Sequence, residues 1–235
     1  MLKEKTVQKR ALNYLENYYN NRWIRRKIYK AEEVRTKKMF GGKRADGLLA
    51  YQNWWFGKPY VVSMEAKSIK TLPAIQPRQD WRRWLRNSLR FGGLLCLASG
   101  LLFAYAQGQH GMHWMIPVGF CLGTGLIFGL VTNKHCRHQT IDVINQLKQY
   151  PANEQWLAFS KDGYQALATE KQKVLQRVCK YRGIGLLIIG KKETVEVLAK
   201  PKRKWSWFWE TRGGWQWIND YLVYYSREKE IRSVI

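Results

Sequence analysis

A chain of 235 residues suits one domain, or one domain with an appendage. Its 41 lysines and arginines against 17 aspartates and glutamates leave a net charge of +24, which points to a polyanionic partner, either nucleic acid or an anionic membrane surface. Four cysteines without CxxC spacing exclude a zinc ribbon or a disulfide framework, and the lack of a Gly-x-x-x-x-Gly-Lys-Ser/Thr loop or a Gly-x-Ser-x-Gly elbow argues against an ATPase or a serine hydrolase.

The opening residues predict a helix, because Val7, Ala11, Leu12, Leu15 and Tyr18 or Tyr19 recur at helical spacing. A first strand is expected within 23–36, followed by a turn at Gly41-Gly42. "ADGLLAYQNWW" and "KPYVVSMEAKS" then read as a hairpin of strands.

The middle of the chain is different. Residues 1–90 carry about +15, residues 91–132 carry nothing, and residues 133–235 carry about +9. Segments 89–107 and 114–132 are each 19 residues long and almost free of charge, close to the roughly 20 that span a hydrocarbon core. They are expected to form a two-helix transmembrane hairpin. Arginines are dense before it, at 78–90, and the connector 108–113 has neither lysine nor arginine, so both termini are expected on the cytoplasmic side. Trp81, Trp84 and Trp114 sit where interfacial aromatic anchors belong.

Beyond the hairpin, 140–150 reads as a short amphipathic helix stopped by Pro151, and 154–164 as a strand running into an "SKDG" turn. Residues 167–183 predict a helix capped by Gly183, and 183–201 a buried strand with its partner. The tail 202–225 holds five tryptophans. It suits a hairpin at the membrane interface, a stacking platform for single-stranded DNA, or a packing surface.

Alternation along "YVVSMEAKS" places Val61, Ser63, Glu65 and Lys67 on one strand face. Glu65 and Lys67 therefore project side by side from a strand that is otherwise core, where burying both is costly unless they pair or hold an ion. Asp46 begins the neighbouring strand and reaches the same end if the two pair antiparallel. Two carboxylates and an ammonium then converge, and hard oxygen ligands suit Mg²⁺ or Mn²⁺.

Asp46 followed by Glu65-Ala66-Lys67 at the end of a hydrophobic strand resembles the PD-(D/E)XK, or restriction-endonuclease-like, nuclease superfamily, although Ala45 stands where the family name has proline. The order helix, three-stranded meander, helix, strand is similar too. Gln146 and Tyr150 in "QLKQY" resemble the Gln-x-x-x-Tyr helix motif of the RecB-like and Mrr-like branches. The resemblance implies that Asp46, Glu65 and the Ala66 carbonyl bind metal and that Lys67 assists the attacking water. It also implies an upstream helix glutamate at the metal, for which Glu16 is the candidate and Glu33 the alternative. Gln146 and Tyr150 would touch substrate phosphate or brace the site, and the basic runs containing Lys43 and Arg44 would contact nucleic acid.

The expected fold is α/β, a restriction-endonuclease-like mixed sheet flanked by helices and interrupted by the transmembrane hairpin. Residues 1–88 and 133–201 form the two halves of the nuclease-like domain, 89–132 the hairpin, and 202–235 a Trp-rich extension. The expected function is a membrane-anchored, Mg²⁺- or Mn²⁺-dependent nuclease at the cytoplasmic face of a bacterial inner membrane, acting on incoming phage or plasmid DNA. Its partners would be DNA, the membrane, and a second copy or a membrane complex. The alternative is a non-catalytic membrane protein of the same fold that binds DNA or a membrane complex.

Overall fold

The computed structural model describes residues 2–20, 27–52, 59–107, 123–125, 127–131, 139–202, 208–210, 214–216 and 220–235. The chain divides into two compact units, Met1–Gln76 with Ile141–Ile235, and Pro77–Thr140. The first is an α/β unit. Helix α1 (Glu4–Asn20) precedes an antiparallel meander of β1 (Ile28–Arg35), β2 (Arg44–Gln52) and β3 (Pro59–Lys67), and short α2 (Leu72–Ile75) follows. The chain then passes through the second unit, which contains β4 (Arg78–Gln79), α3 (Trp81–Gln107) and β5 (Gln139–Thr140). It returns through α4 (Asp142–Leu147), β6 (Glu154–Ser160), α5 (Lys161–Gln165), α6 (Thr169–Arg182), β7 (Gly185–Ile189) and β8 (Val195–Ala199). The six-stranded sheet has the order β1-β2-β3-β6-β7-β8, with β3, β6 and β7 parallel and the rest antiparallel.

Each face of this sheet is closed by its own apolar set. Val7, Ala11, Leu12, Leu15 and Tyr19 of α1 pack on Leu49, Tyr51, Tyr60, Val62, Met64, Ala66 and Trp156. Gly47 is what lets the helix lie so close, since a Cβ there would fall 2.7 Å from Leu12 Cδ2 and 2.9 Å from Met64 Cε. The other face buries Tyr29, Ala31, Val34, Leu48, Ala50 and Val61 against Ala152, Leu222, Tyr225 and Ile231. Residues 220–235 therefore belong to the core of this unit and are not part of an appended tail. Helix α7 (Glu228–Val234) contributes Ile231, while Lys37 donates its backbone N–H to the Tyr224 carbonyl at 2.8 Å. Of the Trp-rich segment, β9 (Phe208–Glu210) and β10 (Gly214–Gln216) pair antiparallel, with Trp209 opposite Trp215. The buried Glu154 is held by Tyr60 Oη at 2.6 Å and by Tyr19, whose hydroxyl also accepts from Trp156 Nε1 at 2.8 Å.

Several boundaries move. The expected SKDG turn is helical, with Ser160 capping α5 by accepting the Gly163 N–H. Gly183 does cap α6, in the left-handed region at φ 70°. The first expected strand begins only at Ile28, residues 21–26 lying outside the described residues.

The second unit is clamped at its base by β4 and β5, where Arg78 pairs with Thr140 and Gln79 with Gln139. Residues 123–125 and 127–131 are helical and run antiparallel to α3. A Cβ on Gly129 would meet Trp84 at 2.7 Å and Ser88 Oγ at 2.8 Å, and one on Gly125 the Ser88 carbonyl at 3.3 Å. Gly125 and Gly129 are four residues apart, the spacing that lets two helices meet backbone to backbone. Phe91 stacks on Phe128 with ring centroids 4.1 Å apart. Among the described residues no helix is long and apolar enough to cross a membrane. Most of the expected second span, with Trp114, lies outside them. Of the two remaining expected anchors, Trp81 is exposed, whereas Trp84 is buried against Gly129 and donates its Nε1–H to the Gly129 carbonyl at 2.6 Å. Trp84 is thus an internal packing residue of this unit.

Candidate active site

The carboxyl ends of parallel strands β3 and β6 carry the site, the usual place for a ligand in an open α/β sheet. Glu65 is almost fully buried, and its Oε1 lies 2.8 Å from Lys67 Nζ. Asp46 Oδ2 is 3.9 Å from the same ammonium and accepts the backbone N–H of Ala66 at 2.9 Å. Asp46 reaches this position because β2 pairs with β3 only from Gly47↔Met64 onward, which leaves its side chain, rather than its backbone, to satisfy Ala66. The Asp46 carbonyl accepts from Gln8 Nε2 of α1 at 2.6 Å. Across β1, Glu33 adopts φ 54°, interrupting that ladder opposite Asp46. The three residues expected to carry catalysis are therefore brought together.

Their electrostatics favour an added cation. Glu65 Oε2 is buried with no hydrogen-bond partner. Burial, and then the Asp46 carboxylate, push the Glu65 carboxyl up to about 7 despite the neighbouring lysine. Burial works against the Lys67 ammonium, but Glu65, Asp46 and Glu4 together outweigh it and raise its pKa above the ordinary lysine value. The surrounding carboxylates therefore favour the charged form of Lys67. Among the described residues no group of three or more His, Cys, Asp or Glu side chains is gathered as a ready metal cage. The orphaned Glu65 Oε2 and the neighbouring Asp46 are instead a sparse oxygen set of the kind with which Mg²⁺, which keeps several of its waters, is commonly held. The residues present fit that ion.

Of the α1 carboxylates, the one that lies near Lys67 is Glu4, not the expected Glu16. Glu4 Oε1 lies 3.8 Å from Lys67 Nζ, and its other oxygen is 3.4 Å from Thr71 Oγ1. Glu16 is twelve residues further along α1, about 18 Å away by helical rise, where it pairs with Lys30. The alternative, Glu33, points to Arg44 at 3.4 Å.

Gln146 and Tyr150 come together at the expected i, i+4 spacing, with Gln146 Nε2 donating to Tyr150 Oη at 3.1 Å. Tyr150 is only 2% exposed, which suits the bracing role expected of it. Its hydroxyl donates to the Arg44 carbonyl at 2.5 Å, bracing β2 two residues before Asp46. Burial first, with Glu65 and Asp46 adding to it, pushes this phenol up to about 12, so it remains a donor. The following turn is held by Gln155, whose Nε2 donates to the Leu147 and Tyr150 carbonyls at 2.5 and 2.8 Å, and by Tyr225, which donates to the Pro151 carbonyl at 2.8 Å. Lys43 donates to Gln149 Oε1, so it and Arg44 sit at the same end of the sheet as the site, each with a partner in the chain.

Gln8, Gln155, Tyr225 and Glu4 were missed in the sequence. Gln8 had a signal, since it interrupts the apolar stripe of α1 one turn after Glu4. Tyr150→Phe removes the brace without emptying the core. The expected result is a loss of about 1 kcal/mol of stability, read by denaturant unfolding.

Comparison with known proteins adds no relative: no family model, no curated protein and no solved structure matches this chain.

Proposed function

We propose that the protein is a metal-dependent phosphodiesterase acting on DNA, built on a restriction-endonuclease-like core. One observation carries the reading: the buried, unpartnered Glu65 Oε2 beside Asp46 and the charged Lys67. When bound there, a divalent cation would supply Lewis-acid polarisation of a phosphate and a more acidic water. Lys67 holds its proton on Nζ, directs hydrogen bonds to the incoming water or phosphate oxygen, and balances charge that develops during in-line attack. Ala66, Gln8 and Tyr150 hold the Asp46 end of β2 in place, while Glu65 is fixed by burial on β3 and by its contact with Lys67. The net charge of +24 supplies sequence-independent attraction for a phosphate backbone.

We further propose that the Pro77–Thr140 unit anchors the protein in a bilayer at the cytoplasmic face of a bacterial inner membrane. Leu94 and Leu97 of α3, and Ile127, Leu130 and Val131, are each at least 62% exposed. Such a surface on a charge-free stretch favours lipid over water.

Glu4 and Glu16 separate this site from a generic acidic patch. Glu4→Gln should weaken Mg²⁺ binding and cut cleavage by about tenfold or more, in line with the loss of one group that orients a metal site. Glu16→Gln should leave both unchanged. Calorimetric Mg²⁺ titration and cleavage assays read the two effects, and equal effects from both variants would remove Glu4 from the site.

A further inference from the structure

The first turns of α3 carry two parallel rows that the folded unit leaves uncovered. Trp81, Leu85 and Leu89 recur at i, i+4 and i+8 and are 60%, 43% and 60% exposed. Arg82, Arg86 and Arg90 form the adjoining row and are also exposed. Arg83 differs, being tied to Asp80 at 2.8 Å, and Trp84 and Ser88 face inward toward Gly129. Among the described residues no carboxylate pairs with Arg82, Arg86 or Arg90. Trp81 is steadied by stacking on the buried Trp84, with ring centroids 4.3 Å apart. The helix runs on from Arg90 into the charge-free residues 91–107.

We propose that these two rows form a surface for anionic phospholipid headgroups, with Arg82, Arg86 and Arg90 on the phosphates and Trp81, Leu85 and Leu89 at the acyl boundary. This rests on the membrane reading given above. Leucines alternating with arginines do not suit a DNA backbone, whereas an aromatic-apolar row beside a cationic row suits a bilayer interface. Arginines at such a surface hold their stems against the apolar layer and their guanidinium groups among the headgroups. Each contributes roughly a fivefold preference for an anionic leaflet.

The test uses the full chain reconstituted in vesicles containing equal parts phosphatidylcholine and phosphatidylglycerol, extracted gently, with retained lipid read by native mass spectrometry. Phosphatidylglycerol should be enriched on the wild type, and the triple variant Arg82→Gln, Arg86→Gln, Arg90→Gln should fall to near parity. A control removing the same charge elsewhere, Arg177→Gln, Lys180→Gln, Lys192→Gln, should keep the enrichment. Equal retention of both lipids by the wild type would overturn the proposal and leave the anchor intact. Failure to enter any vesicle would overturn both. An equal loss in the control, or displacement of the lipid by duplex DNA in the wild type, would show general charge attraction or a DNA surface and overturn it too.

Discussion

Glu65→Gln is expected to make the metal-free protein more stable while abolishing its metal response. The folded Glu65 carboxyl titrates at about 7, against 4.5 for the ordinary group. Below the ordinary value both the folded and unfolded chains hold the proton, and Glu65 imposes no charge penalty. As pH rises from 4.5 toward 7 the unfolded chain releases its proton first, so the metal-free fold loses stability across that window. The loss is complete above 7 and amounts to about 3 kcal/mol. An amide in the same place still accepts from Lys67 and never ionises, which leaves Asp46 and Glu4 as the countercharges of the lysine. Chemical unfolding in EDTA should therefore show the variant as stable as wild type near pH 4.5 and more stable at pH 8. Added Mg²⁺ should stabilise wild type by binding the native state and leave the variant where it was. A variant less stable than wild type at pH 8 would mean that Glu65 is a structural ion-pair partner.

Lys67→Met is expected to separate metal binding from turnover. Methionine fills much of the lysine stem's volume but leaves Glu65, Asp46 and Glu4 facing one another without the ammonium. Three carboxyl groups with no countercharge demand a cation, so Mg²⁺ should bind at least as tightly as in wild type. Cleavage should nevertheless fall by about 10² to 10³, the usual effect of removing one preorganised donor from a developing charge. Isothermal titration read beside plasmid cleavage distinguishes this from misfolding, which would remove both.

Much of the site was legible because strand alternation is a strict rule. Placing Glu65 and Lys67 on one face of β3 required only that the strand exist; the neighbouring strand starts at Arg44, two residues before the expected Asp46, and pairs with β3 from Gly47 onward. Glu4 was not legible, since nothing local says that α1 lies with its amino end over the carboxyl end of β3. Gln146 and Tyr150 stood out by their resemblance to a family motif, but burial decides the role of Tyr150, and that burial depends on Gln155 and Tyr225 from other segments. Trp84 has the sequence position of an interfacial anchor, but Gly129 packs against it, and the Gly125–Gly129 spacing is the sequence signal of that close approach. Residues 220–235 followed a tryptophan-rich stretch and shared its label, yet Leu222, Tyr225 and Ile231 complete a sheet face.

The most direct measurement is cleavage of plasmid, linear and single-stranded DNA by the detergent-purified full chain in Mg²⁺, Mn²⁺ or EDTA, beside Asp46→Ala and Lys67→Met. The predicted result is metal-dependent cleavage by wild type that EDTA stops, that Asp46→Ala abolishes and that Lys67→Met cuts by about 10² to 10³. If wild type cuts nothing in either metal while still binding DNA, or cuts equally after both substitutions, the site is not catalytic and the fold serves as a membrane-bound binding module.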